Sequence, residues 1–372
     1  MSALTILILA ALPERYAVNA STITPACKVN LSFIGKVVER PLNHSIRFIN
    51  NTTLAVAIVV HNPEPPRLVR PGEFDENSAF LLHAALLNAN TGLVLKQAAW
   101  PTNYPRHSGL LAAVNSKLLV LLGNRVAIYS DNLELLRQLQ LPGNAREVWV
   151  GRTSPSGRSA LFIEDAGLKP SRWALIDTNR LRVLRVWNSV PPQPGGLGTP
   201  VSDEYITFMR CLPPGGRPPC SLKIRSLDSG SVWVVGGIDL HHGSPEFVAD
   251  NLLVTRDWSG DISIFNLANH RVIRRLSPGF FGDNFGPAVS AAGADRFVVP
   301  VFSQAFGLEF LYVLDGAFAN LRVLGIHGMP SVGHVRFDTV SPRDFALSPD
   351  GKLLAVLEHF STLLEFRLPL PK

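Results

Sequence analysis

The feature that most constrains this chain is a turn that keeps returning. Phe345-Ala-Leu-Ser-Pro-Asp-Gly-Lys-Leu-Leu-Ala-Val-Leu-Glu358, followed by Ser361-Thr-Leu-Leu-Glu-Phe-Arg367, reads as three strands with a tight turn at Ser348–Gly351. Ser154-Pro-Ser-Gly-Arg-Ser-Ala-Leu-Phe-Ile-Glu164 repeats the middle of that unit almost position for position. Weaker copies stand at Asn50–Leu54, Asn115–Leu118, Ser202–Tyr205, Ala249–Leu252 and Ala292–Phe297, seven in all at a spacing of roughly 45 residues. A unit of this size cannot bury its strands alone, so neighbouring units must stack.

A second count uses the far end of the unit. A polar turn followed by a short apolar strand occurs at Asn90–Leu93, Asp131–Leu133, Asp177–Leu181, Asp228–Val232, Asn269–Val272 and Asn320–Leu321, which makes six. The last unit lacks an outer strand, and a spare strand-like stretch, 29–39, lies upstream of the first. Pairing the two completes a seventh unit and removes an exposed sheet edge, which is otherwise a template for aggregation. The expectation is all-β: a seven-bladed β-propeller of four-stranded antiparallel blades over residues 29–370, closed by an N-terminal strand joining the C-terminal blade. Coils of a β-helix are shorter, and a pair of sandwiches leaves the recurring turn and the complementary ends without a reason. A helical reading fails, because Gly and Pro, 29 of each, break β-branched and aromatic runs throughout.

Ser348-Pro-Asp-Gly-Lys-Leu-Leu-Ala-Val356 resembles the turn and second strand of WD40-like and YVTN-type propeller repeats. Ser259-Gly-Asp-Ile-Ser-Ile-Phe-Asn266 with Arg271-Val-Ile-Arg-Arg275 is similar to their third and fourth strands. The Gly-His and Trp-Asp pairs of typical WD40 blades are missing; Asp257-Trp258 has the reverse order. The resemblance implies the fold, and propellers of this kind include both binding platforms and enzymes.

Composition excludes other classes. Hydrophobic residues at 46% against 17% charged exclude a disordered chain, and no uncharged apolar run is long enough for a membrane span. The 35 basic residues, 8 of them Lys and the rest Arg, are scattered rather than striped, so nucleic acid is not the expected partner. An apolar run from Ala3 to Leu12 and the small residues of Val18-Asn19-Ala20 suit a signal peptide over residues 1–20, although no Lys or Arg precedes the run. Cys211 and Cys220 bracket Leu-Pro-Pro-Gly-Gly-Arg-Pro-Pro between two strand-like runs, so the thiols are expected opposite each other across a hairpin mouth. A disulfide there would fit an exported protein, periplasmic or extracellular. Cys27 has no evident partner, and no Cys or His spacing suggests zinc.

Long Pro- and Gly-rich segments (61–77, 100–107, 187–200, 277–287 and 327–343) fall on one face of the expected ring, opposite the tight turns. That face is the expected binding face. Aromatic and basic residues on it are candidate partner contacts: Tyr104, Arg106, Trp187, Phe280, Phe281, Phe285, Arg336 and Arg343. A rival set, His107, Glu147, Glu246 and Asp344, sits near the entrances of inner strands, where carboxylates and a histidine around an axial channel suit calcium or another divalent cation. Such an ion would polarise an ester or lactone carbonyl. His241-His242 reads as a turn before Ser244-Pro245. No nucleophile elbow, P-loop, HExxH or dinucleotide fingerprint appears, and no residues nominate a quinoprotein-like redox site. The first expectation is a monomeric, cofactor-free, non-catalytic scaffold binding a protein or glycan. The second is a metal-assisted hydrolase or lactonase with its site in the axial channel.

Overall fold

Short aliphatic and β-branched runs, each cut by Gly, Asn, Asp or Ser, fold into strands that pair in seven sheets. The computed structural model describes residues 21–370 except 39–42, 44, 64–78, 144–146, 168, 191–200, 212–219, 239–244, 257–261, 277–283, 286–287, 292–295, 304–306, 316–319, 327–343 and 359. Blade 1 comprises Ile46–Phe48, Thr53–His61, Phe80–Asn88 and Val94–Thr102, from the axis outward. Blade 2 is Ser108–Val114, Lys117–Leu122, Arg125–Tyr129 and Leu135–Gln140. Blade 3 is Trp149–Thr153, Ser159–Glu164, Ser171–Asp177 and Arg182–Val190. Blade 5 is Glu246–Ala249, Leu252–Arg256, Ile262–Asn266 and Arg271–Leu276. The whole is a seven-bladed β-propeller.

Blade 4 departs from the expected four strands. It has Tyr205–Cys211, Cys220–Ser226 and Val232–Ile238, and its inner strand shrinks to a single bridge between Val201 and Ile206. Blade 6 is larger. Arg296–Ser303, Gly307–Asp315 and Asn320–Ile326 carry the short pieces Asn284–Phe285 and Val289–Ser290 on the inner side and Ser21–Ile23, parallel, on the outer side.

The ring closes through the two ends of the chain. Blade 7 takes Phe345–Leu347, Leu353–Glu358 and Thr362–Arg367 from the C-terminal region, and its outer strand is Pro25–Asn30, antiparallel to Thr362–Arg367. The closure is as expected but starts earlier than residue 29. The stretch after Asn30 is not strand: Asn30 Oδ1 accepts the Ser32 amide at 2.8 Å, and Ser32–Ile34 forms a 3₁₀ turn. Leu31 and Ile34 are buried while Ser32 and Phe33 are exposed, a spacing of three that a strand cannot provide.

Packing follows the same logic. The described residues form seven hydrophobic clusters, and each draws its members from two adjacent blades. Ile46, Leu54 and Val56 of blade 1 meet Ala346, Ala355 and Leu363 of blade 7 in the cluster that seals the ring. Second strands are buried on both faces, whereas fourth strands such as Leu135–Gln140 are largely exposed.

The recurring turns are real repeats. The Oγ atoms of Ser154, Ser202 and Ser348 each accept the amide that starts the next strand, from Ser159 at 3.1 Å, Tyr205 at 2.9 Å and Leu353 at 2.9 Å. Their neighbours link blade to blade on this face. Ser156 Oγ donates to Asp203 at 2.6 Å, the Asp203 amide donates to Asp250 Oδ1 at 3.3 Å, and the Asp350 amide donates to Asn51 Oδ1 at 3.0 Å. Turns between third and fourth strands use Asn88, Asp177 and Asn266, whose Oδ1 atoms accept the amides of Asn90, Asn179 and Ala268.

Candidate functional site

All seven blades line one cavity of about 150 Å³ on the axis. Its wall includes Arg47, Ala112, Arg152, Val201, Glu246, Val289 and Ala346, with Ser154, Pro155, Gly157 and Pro349 placing it toward the tight-turn face. Most of these are small or apolar, as crowding of inner strands at the axis requires. Three are charged, and they stand out for that reason.

Arg47 sits at the centre of its inner strand, and its Nε donates to the Leu111 carbonyl at 3.1 Å. The acceptor is available because the register between Ser108–Val114 and Lys117–Leu122 skips between Leu110 and Ala112. Thr153 Oγ1 donates to the same carbonyl at 3.3 Å. Arg152 of blade 3 pairs with Glu246 of blade 5 at 3.5 Å. Burial, then the nearby Arg152, lowers the Arg47 guanidinium pKa to about 10, with Glu246 acting in the opposite direction. It therefore carries its charge at neutral pH.

The four residues considered for a cation do not share a centre. His107 Nε2 lies 2.9 Å from Asp165 Oδ2, Glu147 pairs with Arg172, Glu246 pairs with Arg152, and Asp344 is buried beside the inner strand of blade 7. Arg172 also binds Glu164 at 3.1 Å and lies 5.9 Å from the Trp149 ring centre, so Glu147 belongs to a local ion-pair cluster of blade 3. Among the described residues, no group of three or more His, Cys, Asp or Glu side chains could hold a metal ion. Basic partners next to Glu147 and Glu246 supply the physical reason.

Of the partner-contact candidates, Tyr104 and Arg106 share the loop between blades 1 and 2. The Tyr104 ring lies against Gly123, where an added Cβ would come within 2.2 Å of it, and Arg106 is exposed. A buried hydrogen bond of 2.7 Å between Thr102 and Ser108 closes the base of that loop. Trp187 lies elsewhere, on the outer strand of blade 3, half-buried against the cluster shared with blade 4 and with Arg185 5.7 Å from its ring centre. Phe285 pairs through its backbone with Val301. Phe280, Phe281, Arg336, Arg343 and the His241-His242 pair lie outside the described residues. Cys211 and Cys220 are direct partners across their strands, as the hairpin reading required, and Cys27 is a free thiol.

Arg47 and Arg152 were missed by sequence reasoning. Their signal was available: a lone arginine inside a short apolar run just before a recurring turn, in Ser45-Ile-Arg-Phe48 and Trp149-Val-Gly-Arg152.

No protein-family model matches this chain, and no curated protein matches it. Solved structures share its shape. A chain in "Crystal Structure of Mitotic Checkpoint Complex" is similar over 95% of this chain and 93% of its own, with a TM-score of 0.56 and 14% identity. Raptor from Chaetomium thermophilum is similar over 96% of this chain, with a TM-score of 0.56 and 10% identity, and this chain spans 30% of that one. The C-terminal WD40 domain of Sif2 is similar over 94% of this chain and 99% of its own, with a TM-score of 0.49 and 11% identity. The fold is thus a seven-bladed propeller of the WD40-like and YVTN-type repeat design. Among the described residues, no helix is long and apolar enough to cross a membrane.

Proposed function

We propose that the chain is a rigid, non-catalytic interaction platform that presents the long-loop face of its ring to a protein or glycan partner. One observation carries this reading: the two faces are built differently. Short turns on one face are tied to each other across blades by the Ser156–Asp203, Asp203–Asp250 and Asp350–Asn51 hydrogen bonds. Loops free of that constraint lie opposite, where variation costs the scaffold least. A ring of the same shape occurs in the Mitotic Checkpoint Complex structure, which is an assembly. Tyr104 and Arg106 supply an aromatic and a cationic contact on one loop, a combination common at interface centres.

The reading includes export of a monomer with a Cys211–Cys220 disulfide. Directly opposed residues on antiparallel strands have Cα atoms about 4.5–5.5 Å apart, inside the range a disulfide spans. The test is capture from the native host with three baits: the intact chain, a Tyr104→Ala/Arg106→Ala variant, and a variant with residues 277–287 replaced by a Gly/Ser linker of equal length. A partner retained by the intact ring and lost with the loop variants supports the platform. Hydrolysis of ester or lactone substrates by the purified chain, unaffected by either variant, overturns it.

A further inference from the structure

We infer that the axial cavity is an oxyanion site, in which Arg47 and Arg152 hold a carboxylate or phosphate group. This does not rest on the partner-platform reading, because the cavity opens among the tight turns and not among the long loops.

Charge accounting comes first. Among the described lining residues there are two guanidinium groups and one carboxylate, an excess of one positive charge. Arg47 is held by its Nε bond to Leu111, which aims the rest of the guanidinium without neutralising it. Among the described residues that is the hydrogen bond Arg47 makes. Glu246 already engages Arg152 at 3.5 Å, so one carboxylate serves two cations.

Energetics follow. Two like charges in a partly desolvated channel repel, and the depressed pKa of Arg47 records both its burial and the nearness of Arg152. An anion placed between the two guanidiniums turns that repulsion into two attractions. The planar fork of arginine matches carboxylate and phosphate oxygens with paired N–H donors, which a lysine ammonium does not. A cavity of about 150 Å³ admits one such group with its water and excludes a nucleotide or an oligosaccharide. Apolar neighbours such as Val201, Val289 and Ala346 reduce screening and strengthen each contact. Two sources supply this chemistry: a free small anion, or an acidic side chain that a partner inserts from the tight-turn face.

Calorimetric titration of the intact chain tests the inference with inorganic phosphate, acetate, and a hexapeptide carrying one central Glu beside its Gln analogue. Saturable binding of phosphate or acetate assigns a free anion, and binding of the Glu peptide alone assigns an inserted side chain. Arg47→Gln should reduce the affinity at least tenfold. Glu246→Gln frees Arg152 and should raise it severalfold, a gain that damage to the fold cannot produce. Thermal unfolding of each variant establishes that it is folded, and Arg47→Lys provides a milder replacement if Arg47→Gln is not. No saturable binding of any probe up to about 10 mM, below even the millimolar affinity class, overturns the site. So does a Glu246→Gln variant that binds more weakly than the parent.

Discussion

Arg296 and Asp315 face each other across adjacent strands of blade 6 as a charge pair, with only 3% and 1% of their surfaces exposed. The same guanidinium donates to the Gly351 carbonyl at 2.6 Å and the Pro369 carbonyl at 2.9 Å, both in the blade 7 segment. One side chain thus fastens blade 6 to the repeat turn of blade 7. Arg296→Met would strand the Asp315 carboxylate and is expected to cost about 3–5 kcal/mol in denaturant unfolding. Adding Asp315→Val should restore the electrostatic share and leave only the two lost carbonyl contacts. A single variant within about 1 kcal/mol of the parent would show that the pair is not holding the blades together.

Glu365 gives the stability a pH dependence. Its side chain is 1% exposed, and neither carboxylate oxygen has a hydrogen-bond partner among the described residues. Burial raises its pKa from 4.5 to about 7. Its register partner Cys27 has a thiol pKa raised by burial and then by Glu365 itself. The folded chain therefore binds this proton more tightly than the unfolded chain. Stability from this group is complete below pH 4.5 and is lost as pH rises through about 7. Glu365→Gln should flatten that slope and stabilise the ring at pH 8 by up to about 3 kcal/mol. Urea titrations across the pH range decide it: an unchanged slope means Glu365 ionises freely in the fold.

Gly92 guards the closing strand. It has φ +71, and a Cβ there would lie 2.5 Å from Val29 Cγ2 and 3.3 Å from the Cys27 sulfur. Gly92→Ala should cost about 1–3 kcal/mol, part from the left-handed backbone and part from the clash. Val29→Ala, combined with it, should relieve the clash and leave the backbone share. Additive losses in the double-mutant cycle would mean the blade 1 turn and the closing strand are energetically independent.

Thiol counting tests the compartment. In chain purified from its native host, one reactive thiol under denaturing conditions is expected, Cys27, with Cys211 and Cys220 bridged. Reduction should expose two more and destabilise by about 2–3 kcal/mol for a loop of this size. Three thiols before reduction would remove the bridge and with it the argument for an oxidising environment.

Architecture was legible in the sequence because each blade reuses the same turn chemistry. Ser348-Pro-Asp-Gly351 and Ser154-Pro-Ser-Gly157 need a side-chain acceptor and then a glycine with positive φ, +69 at Gly351 and +74 at Gly157, and few residues serve. The closing strand was mislocated because Phe33 and Ile34 have strand composition while Asn30 diverts the backbone into a 3₁₀ turn, a local hydrogen bond that composition does not reveal. Blade 4 lost its inner strand to a single Val201–Ile206 bridge, which a turn count cannot detect. Sites were harder to read. His107, Glu147 and Glu246 sit where expected along their blades, yet their partners Asp165, Arg172 and Arg152 come from other strands or blades. Only the fold reveals that those charges are already spent.

The pairing of Pro25–Asn30 with Thr362–Arg367 has a consequence for biosynthesis. At ribosomal speeds of about 5–20 residues per second, the first of these segments waits on the order of tens of seconds for the second. Six units can assemble side by side in that interval, but the torus stays notched until translation is nearly over. During that wait, the exit tunnel and whatever shields the nascent polypeptide must protect the unsealed rim.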